Sequence, residues 1–256
     1  MTHYTNNQTR SPSSTQLSGA GYFIKGFELI RLKGIRRFVF IPLIINAILF
    51  SIAFYFLFLE IEHYMNIVMN WLPQWLDWLS YILWPMVVLC VLILFSFIFS
   101  TVANWLAAPF NGLLSEKVEI ILSGESTPQG SFFDLIKDTP RTLAREWTKL
   151  KYFLPRALGF FILSFFIPIV GQIIWLLFMG WMMAVQYKDY PFDNHKIPFP
   201  IMKDTLKEQK GLSYSFGITV SLFSMIPIIN LIVMPVAICG ATALWVDHYK
   251  SDFSTK

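Results

Sequence analysis

The sequence predicts an all-α integral membrane protein, and three observations support this fold class. Of the 256 residues, 55% are hydrophobic and only 14% are charged, whereas about a quarter are charged in a typical soluble domain. The apolar residues lie in uninterrupted blocks that are too long for ordinary core helices. Four Trp residues also flank the first two of these blocks, which is typical of side chains at a membrane–water interface: Trp71, Trp75, Trp78 and Trp84.

Two blocks are predicted to span the membrane as long helices. Residues 38–59 form 22 positions without a charge, and residues 82–110 form a second apolar run. Each is long enough to cross a hydrocarbon core about 30 Å thick. The breaker Pro109-Phe110-Asn111-Gly112 is expected to end the second helix. Residues 60–81 are expected to form the connecting loop.

The basic residues predict how these helices are oriented. All twenty Lys and Arg residues lie outside the stretch from Phe38 to Glu116, and they crowd residues 25–37 and 117–156. By the positive-inside rule, the N-terminus and residues 117–156 are cytoplasmic and the 60–81 loop faces outward. Residues 1–20 are polar and are predicted to be a disordered tail. Residues 21–256 are expected to form a single membrane domain.

The two remaining apolar blocks carry matching interruptions. Residues 157–185 contain Pro168 and Gly171, and residues 214–246 contain Pro227 and Pro235. Each half between the breaks is too short to cross the membrane, and Lys and Arg flank both ends of each block. One interpretation is a pair of re-entrant helical hairpins, and the other is one tilted, proline-kinked helix per block. The paired breaks favour hairpins, with a cytoplasmic C-terminus.

Residues 117–156 are predicted to form cytoplasmic helices with one basic stripe. Lys137, Arg141, Arg145 and Lys149 follow one another at intervals of four residues, so they share a helix face. This stripe motivates a second hypothesis, a membrane scaffold or regulator that recruits partners.

Motifs for other chemistry are absent from the sequence. It contains no GxxxxGK[ST], HExxH, CxxC or GxSxG, and its four His residues are scattered. We therefore expect no enzymatic activity, no metal or cofactor, and no nucleotide or nucleic acid partner.

The segment from Lys33 to Arg37 is the strongest local feature. Gly34 precedes a helix start, where unpaired N–H groups and the helix dipole favour anions. Arg36 and Arg37 add forked donors that suit a tetrahedral oxyanion such as sulfate. The alternative is that these cations anchor the helix to anionic lipid headgroups. The spacing alone favours the lipid anchor.

Six segments together resemble the CysZ sulfate permease family, and the likeness runs from about Gly21 to Tyr249. They occur in the order GIRRFVFIPLIINAIL, LPQWLDWLSYILWP, FSTVANWLAAPFNGLLSEKVE, DTPRTLAREWTK, YPFDNHKIPF and MPVAICGATALWVDHY. The resemblance implies sulfate uptake across the bacterial inner membrane for cysteine synthesis. It also implies two long membrane helices, partly penetrating hairpins and a homo-oligomer. The family's Gly-Leu-Arg-Arg sulfate motif falls on Gly34, Ile35, Arg36 and Arg37, with Ile in place of Leu at a position expected to bind through its N–H.

Polar residues in or near the apolar runs are candidates for a substrate pathway, because such groups are costly in lipid. The candidates are Asn46, Asn104, Glu116, Arg141 and Arg145. Hydrogen bonding between helices is an equally good interpretation of the two Asn residues. For the two Arg residues, lipid contact or a solvated face is favoured over a role in the pathway.

Overall fold

The computed structural model describes residues 17–71, 80–124 and 132–253, and these ranges contain helices and turns but no strand. The helices are listed here in chain order: α1 Gly19–Leu29, α2 Arg36–Asn70, α3 Ser80–Ser123, α4 Phe132–Phe166, α5 Pro168–Asn194, α6 Phe199–Glu208, α7 Lys210–Ser224, α8 Pro227–His248 and α9 Lys250–Phe253. The all-helical fold class is confirmed. Most of the predicted tail, residues 1–16, lies outside the described residues.

The long helices α2 and α3 pack against each other in antiparallel orientation. Phe50 contacts Phe99 at a ring distance of 5.0 Å, and Phe54 contacts Phe95 at 6.2 Å. The prediction that α2 ends near residue 59 is wrong, because the helix continues to Asn70. No Pro or Gly lies in this extension, so nothing in the chain terminates the helix there. The predicted loop is therefore helical over much of its length.

The prediction that Pro109-Phe110-Asn111-Gly112 ends the second helix is also wrong, since α3 runs through it to Ser123. Tertiary contacts hold the helix beyond the proline. Asn111 is buried and donates to the Tyr190 hydroxyl at 3.3 Å, and Asn194 donates to the Gly112 carbonyl at 2.9 Å. These contacts fix the helix just after the proline to α5, so the chain continues as one helix despite the missing N–H.

The third apolar block folds back on itself as a helix pair. The chain breaks at Ile167, between α4 and α5. Gly171 then passes so close to the backbone of Ser164 that a Cβ there would overlap it. Further along, Phe178 stacks on Phe153 at a ring distance of 5.8 Å. The predicted boundary at residue 156 is not a helix boundary, because α4 is continuous from Phe132 to Phe166.

The fourth apolar block breaks at Met225 and Ile226, between α7 and α8, and its two helices also contact each other. The pair joins the core through small residues. A Cβ at Gly217 of α7 would overlap the carbonyl oxygen of Gly180 of α5, so the two backbones touch. Close approach of helices through glycine is common in membrane proteins.

Helix α1 ties the two ends of the described chain together. Ser18 caps it by accepting the Gly21 N–H at 3.1 Å. The Tyr22 hydroxyl donates to Asp247 at 2.9 Å, and it also hydrogen-bonds His248 at 3.1 Å. The start of α1 and the end of α8 therefore lie at the same end of the molecule.

Three helical segments in the described ranges are long and apolar enough to cross a membrane: Arg36–Tyr64, Ile169–Asn194 and Ile229–His248. Very few residues of the first are buried within the protein, whereas most of the third are. Helix α2 thus lies at the periphery, and α8 lies in the core.

Candidate functional site

The turn between α1 and α2 is built around Gly34. This residue has φ = +97°, a conformation that L-residues with a side chain rarely adopt. A Cβ at this position would meet nothing within 4 Å, so the backbone conformation alone accounts for the glycine. The turn closes when the Ile35 N–H donates to the Leu32 carbonyl at 3.2 Å.

Ile35 and Val39 fix this turn to the core. Ile35 is fully buried and Val39 is nearly so, while Lys33, Arg36 and Arg37 are exposed. The motif therefore places one apolar anchor among exposed cations. The Ile35 N–H, expected from the family resemblance to bind the anion, is engaged with Leu32 in this structure. Its bond is long for an N–H···O bond, at the outer end of the usual range.

The backbone at the start of α2 offers further donors. Because Arg36 is the first residue of the helix, its N–H and that of Arg37 have no intrahelical acceptor. The dipole of this long helix adds partial positive charge at the same end. Both features favour an anion beside the turn.

The two guanidinium groups carry no neutralising partner within the described residues. Arg36 donates from Nε to the Arg31 carbonyl at 2.7 Å, and Arg37 lies over the Phe38 ring at 5.1 Å. No ion pair to an acidic residue is formed by either Arg among those residues. The terminal nitrogens of Arg36 remain available to an external acceptor, and the local charge is strongly positive.

A cluster of ionic side chains lies between α4 and α5. In this cluster, unlike at the turn, basic residues are paired with acidic ones. Arg145 holds Asp189 through Nε at 3.1 Å and Nη2 at 2.5 Å, and it donates to the Ile197 carbonyl at 2.8 Å. Arg141 contacts Asp193 at 2.5 Å. Both carboxylates are buried. Arg145 is therefore turned toward acidic partners that α5 supplies, whereas the Arg141 side chain keeps 39% of its surface exposed.

Lys149 extends the same cluster. It contacts Glu146 at 2.6 Å and Asp189 at 3.4 Å, and its side chain is only 5% exposed. Burial lowers the pKa of Lys149, but the neighbouring Asp189 and Glu146 raise it by more, so the net pKa lies above the ordinary value. The amine is charged at neutral pH. Arg145 and Lys149 of the stripe therefore face the protein interior, and Arg141 lies at its partly exposed end.

Two acids on α3 differ in environment. Glu119 is buried and contacts His195 at 2.9 Å and Lys250 at 3.3 Å. Burial raises the pKa of Glu119, but the contacts with His195 and Lys250 lower it by more. Glu116 is half-buried, and burial together with the nearby Glu119 raises its pKa above the ordinary value, against the opposing charge of Lys117.

The structure separates the predicted site residues into groups. Gly34, Ile35, Arg36 and Arg37 share one turn, and Asp193 links Arg141 with Arg145. No hydrogen bond or ion pair of the described side chains joins these two groups. Asn46 is half-exposed on α2. Asn104 is on α3, but its side chain lies outside the described residues.

The sequence interpretation missed four residues that form ionic contacts: Asp189, Asp193, Glu119 and His195. For the two Asp residues, their spacing in the sequence was a usable signal. Asp189 and Asp193 are four residues apart, like Arg141 and Arg145, so two helices carry matching ladders of opposite charge. Glu119 and His195 had no such signal, since 76 positions separate them.

Apolar helices of membrane-spanning length, together with a cationic turn that forms no ion pair with the acids of the described segments, define a helical membrane protein with a surface suited to anions. Comparison with known proteins gives the family. The chain belongs to the family described as Sulfate transporter CysZ/Etoposide-induced protein 2.4, which matches residues 22–235.

Relatives from Salmonella typhimurium, Salmonella paratyphi A and Salmonella enteritidis are each named Sulfate transporter CysZ. Each is 49% identical to this chain over 245 residues, which cover 94% of this chain and 96% of the relative. The resemblance found in the sequence motifs is thereby confirmed.

Proposed function

We propose that this protein carries sulfate inward across the bacterial inner membrane and so feeds sulfate assimilation and cysteine synthesis. The observation that carries the proposal is the 49% identity to proteins named Sulfate transporter CysZ over nearly the full length of both chains. The match extends over nearly the whole of both chains and is not confined to one segment.

The proposed sulfate site is formed by Gly34, Ile35, Arg36 and Arg37. Sulfate at neutral pH offers only acceptors, so a site made of N–H donors and guanidinium groups matches it. The first N–H groups of α2 supply such donors, as do Arg36 and Arg37, which form no ion pair with the described acidic residues. For the Ile35 N–H to take part, its 3.2 Å bond to Leu32 must be shared or exchanged for a bond to sulfate.

The proposed topology places the α4–α5 and α7–α8 pairs in the membrane as re-entrant hairpins. Their tips are strongly exposed and apolar, with Phe165 79% and Met225 70% exposed. From Arg156, the last charged residue of α4, the helix continues for only about 15 Å at about 1.5 Å per residue, roughly half of the hydrocarbon core. The contact of Tyr22 with His248 supports termini on one side, which we assign to the cytoplasm.

The mechanism must meet a large electrical cost. Each elementary charge moved against 100 mV costs about 2.3 kcal/mol, so a dianion costs about twice that. Either internal sulfate is kept low and a channel suffices, or protons accompany the anion. Glu116 is the proposed proton carrier in the second case, because its raised pKa brings protonation closer to neutral pH. We propose that the pathway is completed in a homo-oligomer.

The deciding experiment measures radiolabelled sulfate flux into liposomes that contain only this protein, with and without a proton gradient. The double variant Arg36→Ala/Arg37→Ala is expected to lose most of its sulfate affinity, while it still inserts and assembles. Lys203→Ala/Lys207→Ala removes two cations from α6 and is the matched control, with affinity unchanged. Equal affinity in both double variants would remove the site assignment.

The scaffold hypothesis has less support than transport. It was motivated by the basic stripe of α4, and three members of that stripe are paired with acidic residues on the inward face. The flux assay separates the two functions, since a scaffold gives no flux above protein-free liposomes.

A further inference from the structure

Helix α4 has its polar and apolar faces in the reverse of the usual positions. In a water-soluble protein, the apolar face of an amphipathic helix packs on the core and the charged face meets solvent. In α4, Arg145 and Lys149 point into the protein against α5. The outward face is instead apolar. This arrangement is stable only where the surroundings of the helix are themselves apolar.

The outward face consists of large side chains at helical spacing. Trp147 is 53% exposed, Leu154 is 60% exposed and Leu158 is 61% exposed. Leu150 lies within the row, and Leu143 continues it toward the N-terminal end of the helix. An uncovered apolar surface of this length marks an interaction site on a folded protein.

We propose that this row, Leu143 to Leu158, is a lipid-binding surface that lies at and below the headgroup layer of the membrane. Lys151, beside the row, and Arg156, which lies on the opposite face of α4 near the same level, are proposed to bind anionic headgroups. The inference concerns a segment predicted to be cytoplasmic. It rests on the membrane location of the protein and is independent of sulfate binding.

The two cations have the geometry of interfacial side chains. The Lys151 amine lies over the Trp147 ring at 5.7 Å, and the Arg156 guanidinium lies over the Tyr152 ring at 3.9 Å. Both run along the helix, as long basic side chains do when their stems contact apolar surface and their charges reach a polar layer. Among the described residues neither forms an ion pair, in contrast to Lys149, so anionic headgroups complement an unneutralised charge.

The row is also continuous with the hairpin tip. Phe161 is 59% exposed and Phe165 is 79% exposed, and both follow Leu154 and Leu158 along α4. No charge follows Arg156 in this helix. A helix whose tip lies in hydrocarbon and whose side continues as an apolar row enters the bilayer along that row. The cations at positions 151 and 156 then mark the level of the headgroups.

Depth-dependent quenching tests the proposal in the full-length protein, in a Cys90→Ser/Cys239→Ala background. Single cysteines are introduced as Leu150→Cys, Leu154→Cys and Phe165→Cys, with Lys207→Cys of α6 as the aqueous control. Each carries an environment-sensitive fluorophore in vesicles of phosphatidylcholine and phosphatidylglycerol. A lipid with its spin label near the headgroup should quench the fluorophore at positions 150 and 154. A lipid with its spin label deep in the acyl chain should quench the fluorophore at position 165. Iodide should quench only position 207.

The outcomes separate this surface from the hairpin topology. Iodide quenching at positions 150 and 154, with lipid quenching at 165, would overturn the proposal and leave the re-entrant hairpin intact. Disulfide cross-linking of Leu150→Cys between copies, without lipid quenching, would assign the face to a second copy of the chain and also overturn it. Loss of lipid quenching at all three positions would reject both the lipid-binding surface and the re-entrant hairpin.

A second measurement tests the headgroup contacts. Replacing part of the phosphatidylcholine by phosphatidylglycerol should raise the Tm of the wild-type protein. Lys151→Gln/Arg156→Gln should lose at least half of that shift, and the α6 control Lys203→Gln/Lys207→Gln should keep it. An equal shift in all three proteins would contradict binding of anionic headgroups by Lys151 and Arg156.

Discussion

Asp189→Asn is expected to destabilise the protein strongly, because this carboxylate neutralises two buried cations at once. Asp189 is 1% exposed, and its partners Arg145 and Lys149 are 12% and 5% exposed. Removing one member of a buried ion pair costs about 3–5 kcal/mol, since the remaining charge is left uncompensated. Arg145 retains Asp193 at 3.9 Å, and Lys149 retains Glu146. The lower end of the range, about 3 kcal/mol, therefore applies.

The assay is thermal unfolding of the purified protein in a fixed detergent, followed by intrinsic fluorescence. For a chain of this size, 1 kcal/mol corresponds to about 2–4 °C, so Tm should fall by roughly 6–12 °C. Asp204→Asn is the matched control, because its pair with Lys207 is exposed on α6. Its Tm should not change measurably, since exposed ion pairs contribute little.

Two results would refute this reasoning. A shift no larger for Asp189→Asn than for Asp204→Asn would show that the α4–α5 charges do not hold the helices together. Lys149→Met provides a second check, because it removes one of the two stranded cations. The double variant Asp189→Asn/Lys149→Met should lose less stability than the sum of the single changes, and strict additivity would contradict a direct pair.

Three further predictions follow from the geometry. Gly217→Ala should destabilise the protein by about 1–3 kcal/mol or more, because the added Cβ overlaps α5. Gly211→Ala is the control and should not lower Tm, because its Cβ would meet nothing within 4 Å. Glu119→Gln should flatten the Tm–pH profile below about pH 4.5. The folded-state pKa of Glu119 is lowered, so the stability from its contact with His195 is present above the unfolded pKa. That stability is lost as pH falls through the folded-state pKa. An unchanged acid limb would contradict it. Gly34→Ala should weaken sulfate binding in calorimetry, because an L-residue near φ +97° costs roughly 1–2 kcal/mol.

The existence of the long helices could be predicted from the sequence, but their ends could not. A run without charge, such as residues 38–59, favours a membrane helix whatever its neighbours are, because the lipid supplies the apolar environment. Helix ends depend on tertiary partners. Helix α3 continues past Pro109, where Asn194 donates to the Gly112 carbonyl from a position 82 residues away, and no local pattern reveals that contact.

The candidate site could likewise be predicted only in part, since local features were predictable and tertiary partners were not. Local rules predicted the turn at Gly34, because a glycine before a helix start is a signal carried by a few adjacent residues. The four-residue spacing on α4 correctly predicted that Arg141, Arg145 and Lys149 share a face. It did not predict which way the face points, since periodicity defines a face but not its partner. The matching spacing of Asp189 and Asp193 carried that missing information.

The contrast between paired and unpaired arginines bears on how the anion is handled. A dianion is attracted to positive charge that no carboxylate already neutralises. Arg145 and Arg141 each contact a carboxylate on α5, so an anion that binds there must displace a buried acid. Arg36 and Arg37 impose no such cost, because their partners are a carbonyl oxygen and an aromatic ring. This contrast supports the proposed sulfate site at the exposed turn, whereas the ion pairs of the buried cluster join α4 to α5. Among the described residues, the presence or absence of an acidic neighbour thus distinguishes the arginines of the α4–α5 cluster from those of the turn.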